Sequence, residues 1–251
     1  IQYITLSSVG NTTDFGDLTL GRHGLGQATS PTRAVVAGGQ GAPGDVNTID
    51  FYQIMTTGNA TDFGDLTEVK RGVSGTSSST RGVFTGGAPG LFTTTEFVTI
   101  ASQGNGTDYG NLTTATRNVG FASDSRRAYA GGGVTPSATN VIENILISSG
   151  GDFVDTGDLT VARGYVAGCS NAHGGLNDGY QGTRPLPIGN TGRTLFAGGF
   201  TPSLTSKIDT VLIPTLGNAS DFGDLTQNMR GTIGNSSSTR ALFGMGRTPS
   251  D

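Results

Sequence analysis

The chain has 251 residues, of which 33% are hydrophobic and 14% charged, and its formal net charge is −4. This acidic balance argues against a nucleic-acid surface, and no apolar run approaches the roughly 18 residues that a membrane helix needs. A single Cys and two His exclude a disulfide scaffold and a Cys-based zinc site, and they leave little for acid–base chemistry. Because residue 1 is Ile and not Met, we expect a fragment or a processed chain.

A nine-residue string recurs along the chain. Its form is Asn-x-Thr/Ser-Asp-Phe/Tyr-Gly-Asp/Asn-Leu-Thr in four copies, and a degenerate fifth copy lies at 152–160. The Asp before the aromatic marks each copy, and the markers are 48, 46, 47 and 66 residues apart. The markers and their aromatics are Asp14 with Phe15, Asp62 with Phe63, Asp108 with Tyr109, Asp155, and Asp221 with Phe222. The chain is therefore an internal repeat of about 47 residues, with about 19 extra residues in one copy.

Charged columns keep register with this marker. One arginine follows the Leu-Thr pair by three or four residues, at Arg22, Arg71, Arg117, Arg163 and Arg230. A second arginine opens a short apolar run that ends in glycine, at Arg33, Arg81, Arg127, Arg193 and Arg240. A third segment carries the column Gln2, Asp50, Glu96, Glu143 and Asp209. We interpret the arginines as structural, pairing with carboxylates or loop carbonyls between units; rings of positive charge for an anion are the alternative.

The apolar runs of each unit have four to six residues and are bounded by Gly, Asn, Asp, Ser and Pro, which is typical of strands and turns. In the second unit the pattern predicts strands at 72–77, 81–85, 94–100 and 110–113. Four strands in a unit of about 40–50 residues are one propeller blade. The predicted fold is therefore all-β, a five-bladed β-propeller with four antiparallel strands per blade.

The strand count predicts how the propeller closes. The chain begins on a third strand and ends after a second strand. Five whole blades result if residues 230–251 pair with residues 1–19, which removes open sheet edges. The predicted blades of this single domain, 1–251, are 22–67, 72–113, 118–160, 163–226, and 230–251 together with 1–19. A solenoid is the rival architecture, and it would leave half a blade exposed at each end.

These residues resemble the kelch repeat. The resemblance rests on a strand that ends in Gly38-Gly39, a strand with Asp50 before Phe51, and Arg71 before the next inner strand. Kelch repeats usually carry a Trp in the outer region, where this chain has the Asp-Phe-Gly-Asp-Leu group and no Trp at all. The residue pattern of the repeats is also similar to that of virion-associated proteins of marine bacteriophages, cyanophages especially. That similarity implies a location in the virion, outside the host cell.

The Asp-Phe-Gly-Asp group has two interpretations. Clustered carboxylates such as Asp14 and Asp17 are ligands that Ca²⁺ prefers. Alternatively the group is a turn, in which Asp accepts a backbone bond, Gly takes a positive φ and the aromatic packs between units. Recurrence in every unit favours the turn, so we predict that no metal and no cofactor binds there.

One segment breaks the symmetry of the repeat. Residues 171–190 replace the tight turn between the first and second strands of the fourth unit. Loops on a rigid scaffold carry function disproportionately, although a neutral insertion also costs little. The candidate ligand- or partner-binding residues of this inserted loop are His173, Asn177, Asp178, Tyr180 and Arg184.

No catalytic constellation stands out in the sequence, so we expect a non-enzymatic module. The leading hypothesis is a virion structural or host-adhesion protein that presents loops to a host-surface glycan or to another virion protein. A secreted carbohydrate-binding lectin is the alternative, and a glycoside-acting enzyme, which needs a dedicated pair of carboxylates, is a third hypothesis. We expect no nucleic-acid partner and no membrane insertion, and an oligomer within a virion is compatible with the sequence.

Overall fold

A computed structural model describes residues 1–4, 10–42, 44–124, 126–171, 192–236, 240–244 and 246–249. The described residues form strands and turns and no helix, which confirms the all-β class. They accordingly contain no helix with the length and apolar character needed to cross a membrane. The short apolar runs between turn residues explain this architecture, because none is long enough to sustain an amphipathic helix.

The strands are short and numerous. The first nine are β1 (Gln2–Tyr3), β2 (Thr13–Asp14), β3 (Arg22–His23), β4 (Gly26–Thr29), β5 (Arg33–Ala37), β6 (Gln40–Gly41), β7 (Gly44–Asp45), β8 (Thr48–Gln53) and β9 (Thr61–Asp65). The next ten are β10 (Ser74–Ser77), β11 (Arg81–Thr85), β12 (Phe92–Thr99), β13 (Thr107–Thr116), β14 (Gly120–Ser123), β15 (Arg127–Gly131), β16 (Val134–Thr135), β17 (Ser137–Ala138), β18 (Val141–Leu146) and β19 (Val154–Asp158). The last eight are β20 (Ala167–Ser170), β21 (Arg193–Ala197), β22 (Phe200–Thr201), β23 (Ser203–Leu204), β24 (Lys207–Leu212), β25 (Ser220–Asp224), β26 (Ile233–Ser236) and β27 (Ala241–Gly244).

Four of the sheets are four-stranded and antiparallel, as the repeat predicted. Their orders are β4-β5-β8-β9, β10-β11-β12-β13, β14-β15-β18-β19 and β20-β21-β24-β25, and we call them sheets 1 to 4. Strands β1-β2 and β26-β27 form two separate hairpins at the chain ends. Between the second and third strands of three sheets lie the shorter strands β6-β7, β16-β17 and β22-β23, and β6 also pairs with β3, which precedes sheet 1 in the chain. No pairing among the described residues joins β26-β27 to β1-β2, so closure by the termini stays a prediction.

Every four-stranded sheet has a register shift at the same place. The third and fourth strands slip at Ile49/Asp50, Thr95/Glu96, Ile142/Glu143 and Ile208/Asp209. The acidic residue at each shift lies opposite the marker Asp of the fourth strand, as Asp50 does opposite Asp62. A bulge of this kind re-aims one side chain. Here it accompanies a buried carboxylate in every sheet.

Three apolar clusters hold adjacent sheets together. Sheet 1 packs on sheet 2 through a cluster that includes Val35 and Phe63 on one side and Phe84 and Ile100 on the other. Similar clusters join sheets 2 and 3 and sheets 3 and 4. Since each buried Phe or Ile contributes about 1.5–3 kcal/mol, these clusters are the main source of cohesion between units.

Backbone hydrogen bonds also join successive units in a series. The N–H groups of Gly72, Asn118, Tyr165 and Gly231 each donate to the carbonyl of the equivalent residue one unit earlier, over 2.7–3.1 Å, beginning at Gly24. All five residues have φ between +53° and +68°. We call these five residues the inter-unit spine. Each spine residue follows the Leu-Thr pair by five positions, so the repeat itself places them in register.

Residues of five strands line one cavity. Its volume is about 290 Å³, and it is lined by residues of β4, β10, β14, β20 and β26. Consecutive members of this set contact each other from β4 through β10, β14 and β20 to β26. The first strand of every unit therefore faces the same interior space.

Candidate functional site

The sequence predicts a turn for the Asp-Phe-Gly-Asp group, but this prediction is wrong for four copies, which lie within the fourth strands β9, β13, β19 and β25. Pairing with the third strand, at the register shift, keeps the backbone in the sheet. The marker Asp accepts a hydrogen bond from the backbone N–H two residues later, over 3.0–3.2 Å, in every copy. The donor is the glycine of the group in each case, and its φ lies between +138° and +148°. At Gly64 an added Cβ would stand 2.5 Å from the Gly104 carbonyl oxygen, so close approach of the next unit also requires glycine. The marker carboxylates are thus used to hold the chain's own backbone.

The Asn that opens the repeated string joins one unit to the unit before it. Asn59 Oδ1 accepts from the Asp17 N–H over 2.9 Å, and Asn105 Oδ1 accepts from the Asp65 N–H over 3.1 Å. Asn218 does the same for Asp158, and in the degenerate copy Asp152 takes the role for Asn111. These Asn side chains are therefore inter-unit caps.

The aromatic of the Asp-Phe-Gly-Asp group packs against the sheets in the first three copies. Phe63 meets Phe51 edge-on, with ring centroids 5.8 Å apart, and Tyr109 packs on Phe97 at 4.9 Å. In the degenerate copy Phe153, two residues before the marker, is buried instead. Phe222 differs from all of them, because 52% of its surface is exposed beside the C-terminal hairpin.

Each acidic residue at a register shift is buried and shared between two units. Asp50, Glu96 and Asp209 are fully buried, and each accepts a hydrogen bond from the Thr that ends the preceding Leu-Thr pair. Three residues after that Thr comes a buried cation. The resulting ion pairs are Arg22–Asp50 at 2.7 Å, Lys70–Glu96 at 2.7 Å and Arg163–Asp209 at 3.1 Å.

The first arginine column predicted from the sequence is wrong in one respect. It mixes residues from two different positions, three and four residues after the Leu-Thr pair. Three residues after the Leu-Thr pair stand Arg22, Lys70, Thr116, Arg163 and Met229, and we call this the cation position. Four residues after the pair stand His23, Arg71, Arg117, Gly164 and Arg230. Only the first set reaches the buried acids, and sequence reasoning missed Lys70 because Arg71 follows it. A fixed offset of three residues would have found it.

Glu143 is the exception among the buried acids. The cation position before it holds Thr116, whose hydroxyl donates to the Val134 carbonyl. Glu143 still accepts a hydrogen bond from the Thr113 N–H over 2.8 Å. Burial raises the pKa of the Glu143 carboxyl, and the charge of Asp155 adds to that effect. This unit therefore holds a carboxyl that resists ionisation.

The pKa of Glu143 predicts a specific dependence of stability on pH. The folded-state pKa of Glu143 lies above its ordinary value of 4.5, so between these two pKa values the native protein binds more protons than the unfolded chain. The contribution of Glu143 to the free energy of unfolding therefore falls as the pH rises through this interval. We expect Glu143→Gln to remove this loss, so that the free energy of unfolding of the variant rises relative to that of the wild type as the pH increases from 4.5. Urea unfolding of both proteins across this range measures the difference.

Glu96→Gln is the matched control for this experiment. Glu96 has the same place in sheet 2 but faces Lys70 at 2.7 Å, so its loss leaves the buried ammonium with only the longer contact to Glu68, at 3.8 Å. We expect Glu96→Gln to be less stable than the wild type at neutral pH. A Glu143→Gln variant that behaved like Glu96→Gln would contradict the role given to the missing cation.

The second arginine column binds backbone across units. Arg33 Nη1 donates to the carbonyls of Ile100 and Ala101, at 3.1 and 2.8 Å, and its guanidinium lies 4.9 Å from the centre of the Phe51 ring. Arg81 repeats the arrangement one unit later, with the carbonyls of Ile147 and Ser148. These two arginines have the inter-unit role that the sequence indicated.

The arginines four residues after the Leu-Thr pair have different surroundings. Arg71 contacts both carboxylate oxygens of Asp45, at 2.8 and 2.9 Å. Arg230 instead lies over two aromatic rings, 5.1 Å from the centre of Tyr165 and 4.9 Å from that of Phe200. Arg230 and Arg117 both line a groove of about 480 Å³ beside the β16-β17 and β22-β23 ribbons. Sequence reasoning did not single out this groove.

The inserted loop lies outside the described residues. Its candidate ligand-binding residues His173, Asn177, Asp178, Tyr180 and Arg184 all fall within 172–191, between β20 and β21. Cys169, at the end of β20, is buried, and burial raises the pKa of its thiol to about 11. A thiol in that state is a packing group rather than a nucleophile.

Within the described ranges, no three His, Cys, Asp or Glu side chains come together as metal ligands. In comparisons with known proteins, the chain matches no family model and no curated sequence.

Proposed function

We propose that the four sheets and the two terminal hairpins are the five blades of a closed, kelch-like β-propeller. The shared cavity supports this proposal, because five inner strands of one repeat line a single space. The inter-unit spine supports it as well, since each bond advances by one unit from Gly24 to Gly231. A hydrogen bond from the Gly24 N–H to the Gly231 carbonyl would complete the circle.

We call the contact between the N-terminal hairpin β1-β2 and the C-terminal hairpin β26-β27 the proposed seam. The residues on its two sides complement one another. The last cation position holds the neutral Met229, and the first position of the acidic column holds the neutral Gln2. Pairing the two termini therefore strands no buried charge. Exposed apolar side chains also lie on both sides of the seam, at Tyr3 and Ile4 and at Phe222 and Leu242. Closure would cover them.

Deleting residues 1–19 tests this closure. We expect the truncated protein to melt less cooperatively and to aggregate, because half a blade and a sheet edge remain open. Differential scanning calorimetry and size-exclusion chromatography provide the measurements. Deletion of 249–251, which follows the β-bridge between Arg247 and Arg230, is the control and should leave both unchanged. A truncated chain that stayed monomeric with the melting point of the full chain would exclude closure.

We infer that this propeller is a non-enzymatic virion module that binds a host-surface glycan. The observation that carries the inference is that the repeated polar residues bind other parts of the same chain. The marker aspartates accept a backbone hydrogen bond within their own group, the buried acids pair between units, and Arg33 and Arg81 bind backbone. Polar groups committed in this way build a scaffold, which leaves recognition to the loops that differ between units.

Two experiments test this function. Mass spectrometry of purified virions should find the chain among the structural proteins. A glycan array should show binding to polysaccharides of the host surface, whereas binding only to another virion protein would replace the glycan proposal. Hydrolysis of a bound polysaccharide would indicate a glycoside-acting enzyme instead.

Replacing residues 173–188 by the short Ser-Ser-Thr turn of other units tests the inserted loop. We expect the melting point to be retained, because loop length has little effect on stability. Binding to the host surface should fall if His173, Tyr180 and Arg184 contribute to recognition. Unchanged binding, measured on the same array, would assign recognition to other loops of the propeller.

A further inference from the structure

The groove between the β16-β17 and β22-β23 ribbons has the composition of a ligand site. Two arginines, Arg117 and Arg230, line it together with the aromatic rings of Tyr165 and Phe200 and with Pro136 and Pro202. Its volume of about 480 Å³ lies in the range of small-molecule sites, which is about 300–1,000 Å³. No carboxylate is among its lining residues, although the whole chain has a net charge of −4.

Tyr165 occupies a backbone position that disfavours it. As a member of the inter-unit spine it has φ +57°, in the left-handed region that a bulky side chain rarely adopts. Three of the five spine residues are glycine, and a fourth is Asn118, a residue type that tolerates this region. The fold therefore does not need a tyrosine here, and a strained residue that the fold does not need points to a function.

The guanidinium of Arg230 is held over two aromatic rings, and none of the residues that line the groove carries a carboxylate. It stacks on Tyr165 and Phe200, a geometry that fixes a cation through the ring faces. Among the described residues Arg230 makes no ion pair, and the buried Nε of Arg117 has no hydrogen-bond partner. Arg71, at the same offset in the second unit, is neutralised by Asp45. The arginines of the groove are therefore available to bind an anion, whereas Arg71, their equivalent in the second unit, already binds Asp45.

We propose that this groove binds one anionic sugar unit, a pyranose that carries a carboxylate or a sulfate; the proposal rests on the proposed function in glycan binding. The guanidinium groups of Arg117 and Arg230 donate to the oxyanion, which planar arginine suits well. The face of Tyr165 and the rings of Pro136 and Pro202 pack against the apolar face of the sugar.

Calorimetric titration of the full chain tests the proposal with three trisaccharide probes. These are a galacturonic acid trisaccharide, a sulfated galactose trisaccharide and the neutral galactose trisaccharide. We expect at least one anionic probe to bind about tenfold or more tightly than the neutral one, because the neutral sugar leaves the arginines unpaired. The two anionic arms distinguish carboxylate from sulfate. Equal affinity for all three, or binding of none, would overturn the proposal.

Variants separate this role from a structural one. Tyr165→Gly restores the commonest spine residue, so we expect an unchanged or higher melting point together with about tenfold weaker binding of the anionic probe. Arg230→Gln should weaken it similarly, and Arg71→Gln, at the same offset but paired with Asp45, should not. Full affinity in Tyr165→Gly would overturn the proposal.

The same variants distinguish failure of this inference from failure of the proposed function. If the wild type and Tyr165→Gly bind host polysaccharide equally, glycan binding stands and the groove is excluded. If the wild type binds no host polysaccharide but binds an anionic trisaccharide in a Tyr165-dependent way, the groove stands and its natural ligand lies elsewhere.

Discussion

Lys70→Met is expected to destabilise the protein by about 3–5 kcal/mol at neutral pH, because it leaves the fully buried Glu96 carboxylate without a cation and with only the hydrogen bond from the Thr67 N–H. The 2.7 Å ion pair is the contact that compensates this burial: neither Lys70 Nζ nor Glu96 Oε1 has a hydrogen-bond partner among the described residues. Chemical denaturation gives the free energy of unfolding.

The double variant Lys70→Met/Glu96→Gln is the control for this result. It removes both charges and keeps similar volumes, so most of the lost stability should return. In the proposed closed propeller, Met229 and Gln2 occupy the two positions at which the repeat would otherwise place an ion pair, so the combination there is neutral. A single variant that costs less than about 1 kcal/mol would show that the Lys70–Glu96 contact is solvated and unimportant.

Phe63→Ala is expected to cost about 3–5 kcal/mol, because the ring is 3% exposed within the cluster that joins sheets 1 and 2. The substitution removes the edge-on contact with Phe51 and leaves a cavity between the two sheets. The free energy of unfolding is again the measurement. Met55→Ala, at a side chain that is 85% exposed, is the control and should change stability by less than about 0.5 kcal/mol.

Phe222 is the matched probe at the proposed seam. It has the same place in its copy of the repeat as Phe63 but is largely exposed among the described residues. A closed propeller predicts that Phe222→Ala costs nearly as much as Phe63→Ala, because the N-terminal hairpin would cover the ring. A cost below about 1 kcal/mol would indicate an open seam.

Much of the fold could be predicted from the sequence, because the same pattern of apolar and turn residues occurs in each unit. Short apolar runs between turn residues predicted β-strands, and the 47-residue spacing predicted four-stranded units. The second strand at Arg81–Thr85 has the predicted bounds, whereas β13 extends further than expected, over Thr107–Thr116. The pairing partner decides that length, since β12 offers backbone groups along its whole extent.

The sequence by itself determined the all-β class, the four-stranded antiparallel sheets and the hydrogen bond of each marker Asp with the glycine two residues later, since these depend on residues close together in the chain. It predicted a turn for the Asp-Phe-Gly-Asp group, whereas pairing with the third strand holds four copies in a strand. Only the tertiary structure decided that Lys70, and not Arg71, meets the buried acid, because burial depends on the direction of a side chain between two sheets. It likewise placed Arg230 over Tyr165 and Phe200, residues 65 and 30 positions earlier. Contacts made across such separations are set by how the units pack, and no local pattern encodes them.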